Sequence, residues 1–571
     1  MKKKPSWESG FAGWGILNKN TEKAYDKVII IGLDGADWRL LKPWIAQGYL
    51  PTLARLVEEG ASGSLRSTIR PESSVAWSSF ATGVNPGKHG IFGFVHHEAN
   101  SYRFKLANAT SLRIPRFWDV LSQAERRVGL LNIPFTYPPM PVNGFLVGGM
   151  LTPSLEVPFT YPAQLQSRLL QHFDNYLLDA GDRTQEKEAL IASVQAYTQQ
   201  QIETVRLLWQ IDDYDMLGVV FTGPDRLQHF LWEDIDSQHP GYKLASVQKF
   251  GTALREHFAV LDQTISQIIA QVPERTLILV MSDHGFNGCA RRFYVNRWLN
   301  KQGLLAVREA KRWHTTAVNQ LSGLKSIPWL RRLKRAFLPD DWGVSNLKTA
   351  VSTQLIDWSQ TQVYFAPDGG LRLNVQGREP QGIVSPGKEY EQLRQKLSRT
   401  LHDLREPQTD RPPLAGIYPR EELYNGRFTH HAPDLILEPK RDAPHAIANF
   451  VLDSSVEMAG SIFASSAPYS GNHTLDGILI AWGSGVAPGH QFQNAHIIDL
   501  APTILAALGV AIPAYIDGQA LNQLFLPGNK LASIQDTSAT MKLRDVEEQS
   551  INSTEDESII AARLRNLGYL D

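Results

Sequence analysis

A single cysteine, Cys289, stands in a chain of 571 residues. No disulfide can form within the chain, and a zinc site built on several thiolates is excluded. Charge of one sign is equally scarce: 57 Lys and Arg meet 58 Asp and Glu, a formal net charge of −1. No general basic field is available to hold a nucleic-acid duplex, and no acidic one to store cations. Long apolar runs are missing too. None reaches the roughly 18 residues a membrane-spanning helix needs, although 43% of the residues are hydrophobic, enough for a large core. The opening Met1-Lys2-Lys3-Lys4 passes into Pro5-Ser6-Trp7-Glu8 without an apolar segment. A secretory signal peptide is therefore not expected, and the expected compartment is the cytoplasm.

What is present is an alternation of short apolar runs and longer amphipathic stretches. Residues 1–24 read as a polar arm. From residue 25 the pattern is strand (Val28–Leu33), a helical stretch Trp38–Glu59 ended by Gly60, a strand at Gly129–Ile133, a long helix over Ala189–Gln210, and a strand Met216–Gly223 followed by a helix. Helix Gln248–Gln271 and strand Thr276–Met281 complete the series. Strands alternating with helices indicate an α/β fold, a mostly parallel sheet covered on both faces. Between 296 and 430 tryptophans, a basic run and short strands interrupt the alternation, which predicts an inserted cap. The core is expected to span 25–295 and 431–525, with the sheet resuming at Asp434–Leu437 and again at Gly477–Trp482. Residues 526–571 read as a linker and a short C-terminal amphipathic helix that docks back.

Six residues fall near the ends of these apolar runs: Asp34, Asp225, His229, Asp283, His284 and His473. Sites in α/β sheets gather where strands end and loops converge. Three carboxylates and three imidazoles, all oxygen and nitrogen donors, suit two Zn²⁺ ions, and Mn²⁺ or Fe²⁺ are accommodated by the same donors. Asp225 and His229, four apart, lie on one face of a helix. Asp283 and His284 are adjacent and cannot share a strand face, so a loop is required there. Asp37 instead suits a cap on the helix from Trp38, and Asp262 a brace inside a helical pattern.

The stretch Pro71–Phe94, PESSVAWSSFATGVNPGKHGIFGF, is rich in hydroxyls. Ser73, Ser74, Ser78, Ser79 and Thr82 are all candidate nucleophiles, activated if a divalent ion lowers the hydroxyl pKa. They serve equally well as helix caps and small packing residues. If the helix starts near Val75, Ser73 lies at its N-terminus, where backbone N–H groups favour a phosphate oxygen.

Together IIIGLDGADW (Ile29–Trp38), Pro71–Phe94, FTGPDRLQHF (Phe221–Phe230), MSDHGF (Met281–Phe286), the segment around His473 and DLAPTILAALGV (Asp499–Val510) resemble the alkaline phosphatase superfamily. The resemblance is to its type I phosphodiesterase/nucleotide pyrophosphatase family, in the prokaryotic branch, over roughly 26–525. It implies a three-layer α/β/α sandwich with an inserted cap and a metal-dependent phosphoester hydrolase, most naturally a phosphodiesterase or nucleotide pyrophosphatase. It places the nucleophile on Ser73, one ion on Asp225, His229 and His473, and the other on Asp34, Asp283 and His284. Two such ions about 4 Å apart stabilise the attacking and departing oxygens of an in-line displacement. The partner implied is a small phosphorylated molecule. A phosphomonoesterase or phosphomutase using the same site, or a binding protein that retained the fold without turnover, are the alternatives. One departure stands out. The asparagine this family commonly carries three positions after the nucleophile is replaced by Ala76, so either another donor holds the phosphate or the phosphate is bound in a different way. Arg70, Lys88 and His89 are the nearby candidates. The site also lacks the motif of formylglycine-dependent sulfatases.

Ser326–Pro339, SIPWLRRLKRAFLP, has an apolar stripe flanked by arginines and lysines. It reads as a cap helix packing inward, or as a face that meets an anionic membrane surface weakly or a phosphorylated substrate.

Overall fold

The central strands form because their side chains are apolar on both sides. Lys27–Leu33, Met216–Phe221 and Thr276–Met281 are buried along their whole length, as strands covered by helices on both faces must be. The computed structural model describes residues 22–181, 186–209, 214–308, 355–531, 535–536 and 553–567. Residues 1–21 of the expected arm, the segment Ser326–Pro339 and most of the expected linker lie outside the described residues.

Nine strands make the main sheet, in the order His490–His496, Ala61–Arg66, Asp476–Trp482, Thr276–Met281, Lys27–Leu33, Met216–Phe221, Val128–Leu131, Gly144–Val147, Thr160–Tyr161. Lys27–Leu33 pairs in parallel with both neighbours, Val28 opposite Met216 and Leu277. Asp476–Trp482 and the short Thr160–Tyr161 run antiparallel to theirs. The period-two alternation sorts the central strand into two cores. Val28 and Ile30 face one apolar layer with Trp77, Phe80, Phe117 and Leu500; Ile29, Ile31 and Leu33 face the other, with Leu53, Leu227 and Phe258. The result is the three-layer α/β/α arrangement. Among the described residues no helix is long and apolar enough to cross a membrane.

Two local expectations are corrected. The stretch Trp38–Glu59 is two helices, Trp38–Ala46 and Pro51–Glu59. Gly48, at φ +80°, turns the chain between them, and Pro51 opens the second helix, where its missing N–H costs nothing. Gly60 does follow that helix but with an extended backbone, φ −121°. Its need for glycine is close approach: a Cβ there would lie 2.2 Å from the Ala481 carbonyl oxygen. Gly509, after helix Leu500–Ala507, has the left-handed φ of +66° expected of a helix stop.

The strand expected to return to the main sheet at Asp434–Leu437 does not do so. Leu435–Pro439 sits in a separate four-stranded antiparallel sheet with Val363–Phe365, Gly370–Leu373 and Leu414–Pro419. An apolar run reads alike in any buried strand, so sequence alone does not say which sheet takes it. This sheet, helix Lys388–His402 and a three-stranded sheet (Phe450–Asp453, Arg291–Tyr294, Phe463–Ala464) enclose a second core, from Phe293 to Phe463. The chain rejoins the main sheet at Asp476. The C-terminal helix Thr554–Asn566 docks on the first part of the chain: Leu564 and Leu567 are buried with Ile91, Phe94 and Tyr137, and Arg563 donates to the carbonyls of Met150 (2.7 Å) and Thr152 (2.6 Å).

The second lobe is pinned by one carboxylate. Asp434 accepts a fork from Arg378 (2.7 and 2.8 Å), with further bonds from Arg420, the Tyr390 hydroxyl and the Leu373 N–H. Burial works to raise its pKa, but the two arginines outweigh it and bring it from 3.8 down to about 2. Asp434→Asn is expected to cost about 2 kcal/mol, because it removes the carboxylate that Arg378 and Arg420 share and leaves them only Glu379 and Glu421. The charge's contribution is complete above the ordinary value of 3.8 and is lost as pH falls through about 2. Denaturant melts of both proteins at neutral pH and in acid check the size of the gap and its narrowing below pH 4.

Candidate metal centre

Each expected site residue is delivered by the end of an element. Asp34 directly follows Lys27–Leu33, and the left-handed turn at Gly35 (φ +71°) redirects the chain behind it. A Cβ at Gly35 would press to 3.0 Å on the Phe286 ring, and its carbonyl is held by Gln228 (2.8 Å). Asp225 and His229 lie in the first turns of helix Gly223–Ile235, which leaves the end of Met216–Phe221. Asp283 and His284 occupy the link between Thr276–Met281 and the strand Gly285–Gly288. His473 comes in on Gly471–Thr474, paired antiparallel with that strand so that it stands opposite Phe286. All six are buried.

They assemble as two triads, Asp225–His229–His473 and Asp34–Asp283–His284, each offering donor atoms within 4.8 Å of one another. In the first, His473 Nε2 lies 3.1 Å from both Asp225 Oδ1 and His229 Nε2, and His229 Nε2 lies 3.5 Å from Asp225 Oδ1. In the second, His284 Nε2 lies 3.6 Å from Asp34 Oδ1 and 3.4 Å from Asp283 Oδ2. The rings of His284 and His473 stack at 3.8 Å, joining the triads.

The donor chemistry fits cations. Each imidazole faces a backbone carbonyl with Nδ1: His229 that of Gly471 (3.0 Å), His473 that of Pro71 (2.9 Å), His284 that of Gly285 (3.1 Å). A carbonyl only accepts, so Nδ1 carries the proton and every Nε2 presents a lone pair inward, the orientation of metal-binding histidines. Asp34 Oδ1 and Asp283 Oδ2 are buried and accept no hydrogen bond, a costly state unless a cation meets them. Bonds of about 2.0–2.1 Å at tetrahedral angles set neighbouring donors about 3.3 Å apart, and the measured spacings bracket that value. Without a cation the carboxylates repel. Burial, then Asp283 and Asp225, push Asp34 well above the usual carboxylate range, and burial with the Asp225 charge pushes Asp283 up to about 7. Burial also works to raise Asp225, but the facing imidazoles, His229 first, hold it well below its usual value.

Of the five hydroxyl candidates only Ser73 faces the triads. It is the first residue of helix Ser73–Thr82, and its Oγ lies 3.5 Å from Nε2 of His284, the second-triad ring that stacks on His473 of the first. Ser78 and Thr82 donate back to the carbonyls of Ser74 and Ser78 (2.6 and 2.7 Å), and Ser79 pairs with His89 (2.9 Å). Ser74 Oγ is buried without a partner. Trp77, one turn along the same helix, donates its indole N–H to Asp34 Oδ2 (3.4 Å), a contact with no local signal in the sequence. Asp37 does cap its helix, accepting from the Arg39 N–H (2.7 Å), and reaches the Phe286 N–H (2.9 Å). Asp262 accepts from the N–H groups of Thr52 and Leu53 (3.0 and 2.7 Å) at the start of Pro51–Glu59. His430 and His431 are exposed and belong to neither triad.

Ala76 is buried in the helix and offers no side-chain donor. Of the three substitutes considered, Lys88 donates to the Tyr515 carbonyl (3.0 Å) and pairs with Asp517, while His89 bonds Ser79 and the Ile91 N–H. Arg70 instead lines the cavity against His229 and His473. Arg441 and Asn472 line it too, and neither stood out in the sequence: Arg441 comes from the loop after Leu435–Pro439 and has no local pattern around it.

The family model described as type I phosphodiesterase / nucleotide pyrophosphatase matches residues 28–444, a span holding Ser73 and all the triad residues except His473. Among solved structures, phosphonoacetate hydrolase from Sinorhizobium meliloti 1021 is similar at a TM-score of 0.51 and 14% identity, over 87% of this chain and 98% of that one. Human ectonucleotide pyrophosphatase / phosphodiesterase 5 is similar at a TM-score of 0.44 and 11% identity, over 87% and 99% of the two chains. Among curated protein sequences none matches. With most of its length covered by that family model, the chain belongs to the type I phosphodiesterase / nucleotide pyrophosphatase family.

Proposed function

We propose that this chain hydrolyses a phosphodiester or nucleotide pyrophosphate bond, with Ser73 as nucleophile and the two triads as seats for two divalent ions, Zn²⁺ foremost, with Mn²⁺ or Fe²⁺ suited to the same donors. The observation that carries the reading is the position of Ser73 Oγ, 3.5 Å from Nε2 of His284, whose ring joins the second triad to His473 of the first. When bound, the ions supply positive charge that lowers the serine pKa and offsets charge on the phosphate oxygens. The chain does the rest. The helix that begins at Ser73 aims its N-terminus at the site, where an anion is favoured. Attack by Oγ on phosphorus forms a phosphoseryl ester and expels the leaving alcohol or phosphate, and water then cleaves that ester and restores the hydroxyl. The carbonyls of Pro71, Gly471 and Gly285 fix the three imidazoles, so little reorganisation is needed during the reaction.

A second reading, hydrolysis of a phosphomonoester, is favoured by Arg70 and Arg441 on the cavity wall, since a monoester carries one more negative charge than a diester. Purified protein supplied with Zn²⁺ or Mn²⁺ is expected to hydrolyse bis-p-nitrophenyl phosphate faster than p-nitrophenyl phosphate. The reverse order would select the monoester reading, and no turnover of either with both ions bound would leave a binding protein.

A further inference from the structure

A cavity of about 120 Å³ opens against His229 and His473. Pro71 and Glu72, just before Ser73, form part of its wall, and the second lobe supplies Phe365 and Leu437. Two arginines line it, one from each lobe. Arg70 is only 8% exposed. Its fork is oriented by an ion pair with Glu72, and its Nη1 is buried without a hydrogen-bond partner. Its backbone is left-handed, φ +66°, a conformation that a non-glycine residue keeps only where its surroundings enforce it. Gly369 of the second lobe packs directly on that guanidinium: a Cβ there would lie 1.8 Å from Nη1. Arg441 donates from Nη1 to the His473 carbonyl (3.0 Å), while its Nε is buried with no partner. Among the described residues no carboxylate lies within ion-pair distance of Arg441.

Charge balance then constrains the ligand. Two divalent ions against the carboxylates of Asp34, Asp225 and Asp283 leave one positive charge. Glu72 neutralises Arg70, and Arg441, offset only at longer range by Glu438 and Asp442, adds positive charge to the wall. A simple diester, with one negative charge, leaves the pocket cationic. A planar fork with N–H groups to spare is suited to phosphate oxygens.

We propose that Arg70 and Arg441 bind the phosphate oxygens, Arg70 serving where Ala76 cannot, and that the substrate brings two negative charges to them. The shared chemistry is a doubly charged phosphate, either the dianion of a monoester or the paired phosphates of a pyrophosphate diester. This rests on the assignment of Ser73 and the triads above, and the experiment separates the two. Inorganic phosphate is titrated calorimetrically into the ion-loaded full chain, its Arg70→Gln and Arg441→Gln variants, and Gly369→Ala, which displaces Arg70 without removing it. All are checked for native circular dichroism and bound metal. Each variant is expected to bind phosphate at least about tenfold more weakly. In parallel, kcat/KM is measured on p-nitrophenyl phosphate, diadenosine pyrophosphate and bis-p-nitrophenyl phosphate. The two Gln variants are expected to lose about 10–100-fold, mainly in KM, on whichever doubly charged substrate the wild type prefers, and a smaller factor on the singly charged diester, whose phosphate oxygens they also meet. That preference identifies the source of the second charge. Arg441→Lys, which keeps the charge, is expected to recover part of the loss, and it stands in for the Gln variant should that fail to fold. Phosphate binding within twofold of wild type in every variant, or equal losses on all three substrates, would overturn the assignment. Wild-type protein that binds phosphate through these arginines yet turns over nothing sinks the hydrolase reading and leaves this one standing.

Discussion

Ser73→Ala is expected to lower turnover of bis-p-nitrophenyl phosphate by at least about 10³-fold, the scale of removing a covalent nucleophile, while bound metal stays unchanged. The separation follows from geometry. Ser73 Oγ touches the edge of the second triad at 3.5 Å but belongs to neither group of donors. Alanine is tolerated at the first position of Ser73–Thr82 without loss of helix propensity, so the fold has no reason to yield. Steady-state rates and elemental analysis of the same preparation check both halves. A variant that keeps more than a tenth of wild-type turnover would transfer the role to another group. Among the serines of this helix Ser74 is the remaining choice, since the hydroxyls of Ser78 and Ser79 are already spent on a backbone carbonyl and on His89.

The site was legible to the extent that it depends on strand ends. Apolar runs such as Val28–Leu33 and Thr276–Met281 are buried on both faces, so their limits show in the sequence, and the acids and histidines just past them show with them. Asp225 and His229 were legible as a helical pair because i and i+4 share a face. His473 was harder. It rides on a short strand whose partner, Gly285–Gly288, is set by tertiary pairing. The carbonyls that fix each Nδ1 carry no side-chain signal at all. The division of Trp38–Glu59 into two helices was marked by Gly48 and Pro51, yet the apolar periodicity runs across the break and masks it. Leu435–Pro439 was legible as a strand but not as a member of the smaller sheet, because burial on both sides gives the same apolar run in either. Arg441 became a site residue only once that smaller sheet brought its loop over the cavity.

Removing one ligand from each triad is expected to separate the two ions. Asp225→Ala and Asp283→Ala should each bind one equivalent of Zn²⁺ where the unaltered chain binds two, and each should lose hydrolysis, since the serine needs both flanks. Acidity should discriminate between the triads in the same order. In the metal-free protein Asp283 is held up to about 7, with Asp34 pushed the same way by burial and its acidic neighbours, so protons compete for the second triad as pH falls through about 7; Asp225 is held low and remains a carboxylate. A cation entering the second triad must displace those protons, and its affinity therefore weakens as pH falls below about 7, by about tenfold per unit for each proton released. The first triad feels no such competition from its carboxylate. Titration of Zn²⁺ into metal-free protein at pH 8 and pH 6 is expected to show two tight sites at the higher pH and one weakened site at the lower. The enthalpy of that weakened site should vary with the ionisation enthalpy of the buffer. Asp283→Ala removes the weakened site and Asp225→Ala spares it. Both sites weakening together, or both being lost in either variant, would mean that the stacked pair His284 and His473 binds the triads into one cooperative unit, and the assignment of one ion to each would have to be withdrawn.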